Sequence, residues 1–420
     1  MTEREVEIKG WLVTKRSSGG VQFLVIRDGS GTIQSTIHKD DVAEKVFQDA
    51  DKLTQESSIV IRGTVKEDRR APSGYEVKVK DLVIVQLAAQ EYPVCKKEHG
   101  IDFLMGFRQL WVRSPKQIAI LKVRAEVTRA CRDFLDERGF TLTDSPILTP
   151  SSVEGVATLF EVPYFGGKAF LTQSGQLYVE ATIAAFGKVY CFGPTFRAER
   201  SKTARHLTEF WMVEPEMAFF TLEDNLKLQE EMVTYIVEST LEKRSRELGV
   251  LKRDVKPLKE VEPPFDRISY SEAIEMLQKA KYKIEWGEDF GTPHERFISL
   301  KFEKPVFVHR YPTKVRAFYM QPDPDDPRVV LCADLMAPEG YGEIIGGSER
   351  IHDLKLLEQR IEEFGLPKEA YEWYLDLRRY GSVPHSGFGL GIERTLMWIC
   401  KLKHIRETIP FPRTINRIYP

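Results

Sequence analysis

The chain has 420 residues, 42% hydrophobic and 30% charged, enough for two or three domains with sizeable cores. A net charge of −2 excludes a global basic field, so any nucleic-acid partner must be met by local contacts, or by shape and bases as well as charge. Cys95, Cys131, Cys191, Cys332 and Cys400 are scattered, without a Cys-x-x-Cys pair or Cys/His cluster, which argues against a zinc site or a disulfide framework.

The start, MTEREVEIKGW, carries no apolar signal region, and no long apolar run follows. The expectation is a cytoplasmic protein with no membrane partner. Residues 5–86 then alternate in a strand-like way. EVEIKGWLV, VQFLVIRD, GTIQSTIH, SSIVIRGTV and GYEVKVKDLVIV are five β-branched runs, punctuated by turns at Ser17–Gly20, Asp28–Gly31 and Ala71–Gly74. A helical piece, DDVAEKVFQDADKL, falls between the third and fourth runs. Five strands with a helix at that place fit an oligonucleotide-binding barrel, expected over residues 1–88. Such barrels stack bases on aromatics and track phosphates with cations, so Phe23, Arg27 and Gln34 are candidates. A lone Phe is more often a core aromatic than a stacking platform. Residues 89–107, with Tyr92-Pro93 and a Lys-Lys-Glu-His run, read as a linker or hinge.

Ser114 to Gly139 reads as a long amphipathic helix with Ile118, Leu121, Val127, Cys131, Phe134 and Leu135 near its apolar stripe. Pro146 follows inside an apolar run, which suits a sheet edge or an interface. Gln173-Ser174-Gly175-Gln176 marks a turn from strand to helix, and polar side chains there suit the charged ends of a small amphiphile. FRAERSKTARHLTEFWMVEPE, residues 196–216, reads as an antiparallel hairpin. Parity places Arg197 and Glu199 on one strand face, and Phe210, Met212, Glu214 and Glu216 together on the other strand. Those side chains either line a concave floor for a polyanion, a stacked base and a small polar ligand, or form ordinary surface ion pairs.

Thr221 to Leu248 reads as a second long helix, opened by a capping pattern. Residues 250–330 are mixed and carry no interpretable motif; they read as an insertion packed beside the main sheet. In LCADLMAPEGYGEIIGGSERIHD, Asp334 and Glu343 are either oxygen ligands for Mg²⁺ or surface acids flanking a strand. SGFGLGIERTLMWICKL is a glycine-rich strand running into a helix with Arg394 in its first turn, a combination that favours phosphate. It is neither a dinucleotide fingerprint nor a P-loop.

Taken together, these stretches resemble the class II aminoacyl-tRNA synthetases of subclass IIb, the aspartyl, asparaginyl and lysyl subgroup. Pro146 resembles the dimer-interface motif 1, Phe196 to Glu216 resembles motif 2, and Gly389-Leu390-Gly391-Ile392-Glu393-Arg394 resembles motif 3. The resemblance covers nearly the whole chain. It implies an α+β fold, with a five-stranded OB-fold barrel before a catalytic domain (residues 108–420) built on an antiparallel sheet flanked by helices. It also implies a homodimer. Arg197 would hold the α-phosphate of ATP and the substrate carboxylate, and Glu199 the adenine amino group. Phe210 and Arg394 would sandwich the adenine, with Arg394, Arg205 and His206 toward the phosphates. Asp334 and Glu343 would carry Mg²⁺, with Glu343 also facing ATP. Glu154, Ser174 and Gln176 would surround the ammonium end of the amino acid. Phe23 and Gln34 would take the central anticodon uridine.

Within the family, the resemblance is to the asparaginyl branch. Val179 stands where the aspartyl enzymes have Lys, Glu214 where they have Asp, Gly175 where they have Pro, and Gly346 where they have a Ser near Mg²⁺. Arg350 would bind the side-chain oxygen, and Glu214 would accept from a carboxamide while repelling a carboxylate. The implied reaction activates L-asparagine with ATP to an adenylate and passes it to tRNA(Asn), releasing AMP and diphosphate. The rivals are an aspartyl enzyme with relaxed tRNA choice, a tRNA-independent asparagine-forming paralogue, and a non-enzymatic regulator or RNA-binding module, which the presence of Arg197, Glu199 and Arg394 disfavours.

Overall fold

The alternating runs at the start of the chain close into a barrel. Strands β1 (Glu5–Ser18), β2 (Val21–Arg27) and β3 (Thr32–His38), helix α1 (Glu44–Lys52) and strands β4 (Ser58–Glu67) and β5 (Tyr75–Gln86) follow in order, and the strands pair as β1-β2-β3-β5-β4. Leu24, Ile26 and Ile37 turn inward with Leu12, Ile59, Ile61, Val77 and Val79. Period-2 alternation therefore puts Phe23, Val25 and Arg27 on the outer surface. Helix α2 (Ile101–Gly106) ends this first compact unit, which runs to Phe107. The computed structural model describes residues 4–95, 97–155, 158–201 and 203–420.

The second unit, Arg108–Pro420, begins with α3 (Arg108–Trp111) and α4 (Pro115–Glu137). Ser114 caps α4 through its side chain, and Pro115 occupies the first turn, where its missing N–H costs nothing. The buried stripe of α4 is Ile120, Val123, Val127, Ala130, Cys131, Phe134 and Leu135; Ile118 and Leu121 are only half-buried beside it. Short strands β6 (Thr141–Leu142) and β7 (Leu148–Thr149) flank an exposed Pro146. Then come β8 (Phe160–Tyr164), β9 (Gly167–Leu171), α5 (Gln176–Phe186), β10 (Lys188–Phe196) and β11 (Glu209–Ala218).

Thr221 and Asp224 form a reciprocal capping box at the start of α6 (Leu222–Lys243). The helix expected to reach Leu248 instead breaks at Arg244, whose φ of −128° leaves the helical region, and resumes as α7 (Ser245–Val250). The break lets the Arg244 guanidinium reach the buried Glu126 of α4 at 3.3 Å. The next elements are α8 (Lys256–Lys259), β12 (Asp266–Ser269), α9 (Tyr270–Lys279), α10 (Thr292–Ser299) and β13 (Val306–His309). The chain ends through β14 (Cys332–Ala337), β15 (Gly342–Arg350), α11 (Leu354–Glu363), α12 (Glu372–Arg379), β16 (His385–Gly391) and α13 (Ile392–Ile399).

Eight strands form the main sheet in the order β12-β13-β14-β15-β16-β11-β10-β6. It is antiparallel except for its edge pairs, β12 with β13 and β6 with β10. The 250–330 segment is thus not merely beside the sheet: its strands β12 and β13 extend it. One face carries the largest core, where Val213 and Met217 of β11 and Phe388 and Leu390 of β16 meet α4, α6 and α13. The opposite face is polar and holds the site.

Candidate active site

The alternate residues of β11 that turn away from the core, Met212, Glu214 and Glu216, floor a cavity of about 470 Å³. Its walls carry Glu154, Ser174, Gln176, Arg197, Asp334, Glu343 and Arg350. The neighbouring strand β16 is glycine-rich for a reason visible here. A Cβ at Gly387 would lie 2.1 Å from Glu216 Oε1, and one at Gly389 would lie 2.3 Å from Met212 Cε. These glycines make room for side chains of the adjacent strand.

A second cavity, about 110 Å³, is lined by Arg197, Glu199, Arg205, His206, Phe210 and Arg394. Arg197 and Glu199 were expected on a strand face, but β10 stops at Phe196 and both lie in the loop beyond it. A backbone bond from Arg197 N–H to Thr208 O, 3.0 Å, still ties the loop to β11. The Arg197 guanidinium stands 5.4 Å from the Phe210 ring centre. Among the described residues its Nε is buried without a hydrogen-bond partner, a donor suited to an anionic ligand. His206 Nε2 lies 3.6 Å from Glu199, and burial, with Arg394 adding to it, draws the imidazole below its ordinary range. Arg205 is less available than expected. It is buried, donating to Glu295 at 2.7 Å and to the Glu343 backbone carbonyl at 3.2 Å, so it buttresses the site through α10.

Glu343 joins the same polar face through a β-bulge. In the register of β14 with β15, Leu335 pairs with Ile345 and Met336 with Glu343, leaving Ile344 as the extra residue. Without it, strand parity would turn Glu343 away from Asp334. Arg316 donates to Asp334 Oδ2 at 2.5 Å, and Arg394 to Glu343 Oε2 at 2.7 Å. The other two oxygens converge over Gly346, where a Cβ would sit 3.3 Å from Glu343 Oε1 and 3.4 Å from Asp334 Oδ1. Two hard carboxylate oxygens bordering one small space fit a divalent cation completed by water and phosphate. Burial pushes Asp334 up to about 7, with Arg316 opposing it. Burial also opposes ionisation of Glu343, but Arg394 and Arg316 outweigh it and hold that carboxyl at about 2.

Glu214 is the buried acid of the far wall. Ser174 Oγ donates to its Oε1, Gly175 N–H to its Oε2 at 2.8 Å, and Cys191 Sγ to Oε2 at 3.5 Å. Burial pushes its carboxyl up, while these donors pull it down. Arg350 makes a two-pronged contact with Glu216, 2.6 and 3.2 Å, and donates to Ser348 Oγ at 2.8 Å. Glu154 lies 3.8 Å from Arg197 and accepts from Tyr319 OH at 3.2 Å. Val179 is buried against Ile183, Val189 and Cys191 and does not line the cavity.

Sequence reasoning missed several participants. Gln173 clamps the Glu154 loop: its Oε1 accepts from the backbone N–H of Val153 and Glu154, and its Nε2 donates to Gly155 O and Thr158 Oγ1. Asp289, Lys314 and Arg316, all from the segment that carried no motif, line the large cavity. No spacing signal marks them, because they reach the site only through the extended sheet edge.

In the barrel, Phe23 and Gln34 share the outer face, through the pairs Phe23 with Thr36 and Val25 with Gln34. Phe23 is half-buried there, not in the core, with the Arg16 guanidinium 4.6 Å from its ring centre. Gln34 Nε2 donates to Glu76 at 3.1 Å. Arg27, on that outer surface, is forked onto Glu56 at 2.9 and 2.7 Å. Arg16 is the cation beside the aromatic.

A family model described as tRNA synthetases class II (D, K and N) matches residues 101–415, and one described as an OB-fold nucleic acid binding domain matches residues 6–85. The chain belongs to the class II tRNA synthetases of this D, K and N family. Among its relatives, the asparagine–tRNA ligase of Desulforamulus reducens is 61% identical over 418 residues, covering 100% of this chain and 97% of the relative. That of Thermus thermophilus is 57% identical over 426 residues, with 100% and 97% covered. The solved asparaginyl-tRNA synthetase of Pyrococcus horikoshii, complexed with asparaginyl-adenylate, superposes with a TM-score of 0.97 at 48% identity, over 100% of this chain and 97% of that one.

Proposed function

We infer that the chain is an asparagine–tRNA ligase, which activates L-asparagine with ATP and transfers it to tRNA(Asn), releasing diphosphate and AMP. The observation that carries the choice of amino acid is Glu214, a buried carboxylate whose hydrogen-bond partners among the described residues are all donors. Such a group accepts from a carboxamide NH₂ and repels a β-carboxylate. Arg350, on the same cavity wall, donates to the side-chain carbonyl.

The reaction requires no enzyme nucleophile. The carboxylate of asparagine attacks the α-phosphorus in line, and the terminal ribose hydroxyl of tRNA then attacks the adenylate. Catalysis is positioning and charge neutralisation by Arg197 and Arg394. Phe210 and Arg394 hold the adenine, Glu199 accepts from its amino group, and His206 faces the outer phosphates. Glu154, Ser174 and Gln176 receive the ammonium end. Mg²⁺ on Asp334 and Glu343 would neutralise phosphate charge when bound.

The barrel, over residues 1–88, serves as the anticodon-binding domain through Phe23 and Gln34, and residues 108–420 serve as the catalytic domain. A homodimer forms through the Pro146 stretch, where Leu142, Ile147 and Leu148 expose large apolar side chains. Among the described residues no helix is long and apolar enough to cross a membrane, and free thiols suit a reducing cytoplasm. ATP–diphosphate exchange tests the reading: asparagine drives it and aspartate hardly does. The reverse preference would overturn the assignment.

A further inference from the structure

Behind the amino-acid wall lies a polar cluster with no direct access to substrate. Its centre is Glu180, one turn along α5 from Gln176 and 2% exposed. Glu180 Oε1 accepts from Gln176 Nε2 at 3.0 Å and from Tyr374 OH at 2.9 Å. Its Oε2 accepts from Tyr374 OH at 2.7 Å and Arg378 Nη2 at 2.8 Å, and lies 2.9 Å from His385 Nε2. Burial pushes this carboxyl up, but Arg378 and His385 outweigh it and hold it well below its usual range.

An ionised carboxylate has no proton to give. Only the NH₂ end of the Gln176 amide can face it, so the two ends of that amide are not interchangeable. Gln176 also lines the large cavity. With its Nε2 committed to Glu180, the end left for the cavity is the carbonyl Oε1, an acceptor. An ammonium carries only donors. We propose that Glu180, held by Tyr374, Arg378 and His385, is a positioning residue that fixes Gln176 as an acceptor for the α-ammonium of the bound amino acid. The inference rests on the reading of Gln176 as an amino-acid contact.

A competing role is visible and the test separates it. His385 is the cross-strand partner of Arg350, and Arg378 Nε donates to Ile351 O at 2.9 Å. The same cluster could therefore act through Arg350 on the side-chain end of the substrate.

The experiment uses Glu180→Gln in the full chain, with ATP–diphosphate exchange as readout and two competitive inhibitors. Asparaginol keeps the ammonium and the carboxamide; succinamate keeps the carboxamide and the carboxylate but lacks the ammonium. In the variant, the residue 180 amide can face Gln176 with either end, and the polarity is lost. The KM for asparagine and the Ki for asparaginol should rise about tenfold, with kcat nearly unchanged and the Ki for succinamate unaffected. In a Gln176→Ala background, Glu180→Gln should add nothing. Equal weakening of both inhibitors, or a full effect without Gln176, would overturn the proposal. If Gln176→Ala itself leaves the asparagine KM unchanged, the amino-acid reading of Gln176 falls, and the inference with it. Tyr374→Phe, which keeps the shape and the charge, should show a smaller version of the same pattern and serves if Glu180→Gln does not fold.

Discussion

Gly175 donates its backbone N–H to Glu214 across 2.8 Å, and the same glycine is wedged where no side chain fits. A Cβ there would lie 2.5 Å from Cys191 Sγ and 2.6 Å from Ser145 Oγ. Cys191 is itself a donor to Glu214. The size of residue 175 and the position of the acid at 214 are therefore one feature.

Gly175→Ala tests that coupling. The φ of −83° suits alanine, so the penalty is steric and not conformational. Overpacking of this kind costs about 1–3 kcal/mol. The expected outcome is a lower Tm and a higher KM for asparagine, both partly restored by adding Cys191→Ala. An unchanged Tm would show that the wall yields without cost.

Glu214→Gln removes the charge while keeping the length. The ratio of kcat/KM for asparagine over aspartate in diphosphate exchange should fall by about tenfold or more, since juxtaposed like charges cost several kcal/mol. A preserved ratio would take Glu214 out of the selection.

Acidity should do the same reversibly. Burial raises the Glu214 carboxyl above its ordinary range, so it takes up a proton at a higher pH than a solvated glutamate. Above that point it is an acceptor and repels aspartate; below it, its O–H can donate to a β-carboxylate. Discrimination is thus full at high pH and declines as pH falls through the raised value. Exchange measured with each amino acid across the acid side of neutrality reads this directly, and Glu214→Gln should flatten the profile.

Gly346→Ala addresses the cation. Its Cβ would crowd Glu343 Oε1 and Asp334 Oδ1 at 3.3 and 3.4 Å. The Mg²⁺ concentration giving half-maximal exchange should rise several-fold. An unaltered Mg²⁺ requirement would mean that the ion does not use both oxygens.

Phe23→Ala should raise the KM for tRNA in charging, by the order of about 1–3 kcal/mol seen for base stacking, and leave diphosphate exchange intact. Equal damage to both half-reactions would indicate a fold defect.

The sequence by itself determined the barrel, the β10–β11 hairpin and the polar face of β11, because period-2 alternation depends only on local residues. Parity alone placed Phe210, Met212, Glu214 and Glu216 together, whereas the outer-face position of Phe23 was decided by closure of the barrel around Leu24 and Ile26. Tertiary structure decided the rest. The bulge at Ile344 turned Glu343 toward Asp334, reversing what simple alternation predicts. Strands β12 and β13 brought Asp289, Lys314 and Arg316 to a cavity that their own sequence does not announce. Arg27 and Arg205 read as free cations until the fold supplied Glu56 and Glu295 as partners. Charge identity is written in the chain, but whether a charge is available to a ligand depends on which distant carboxylate the packing sets beside it.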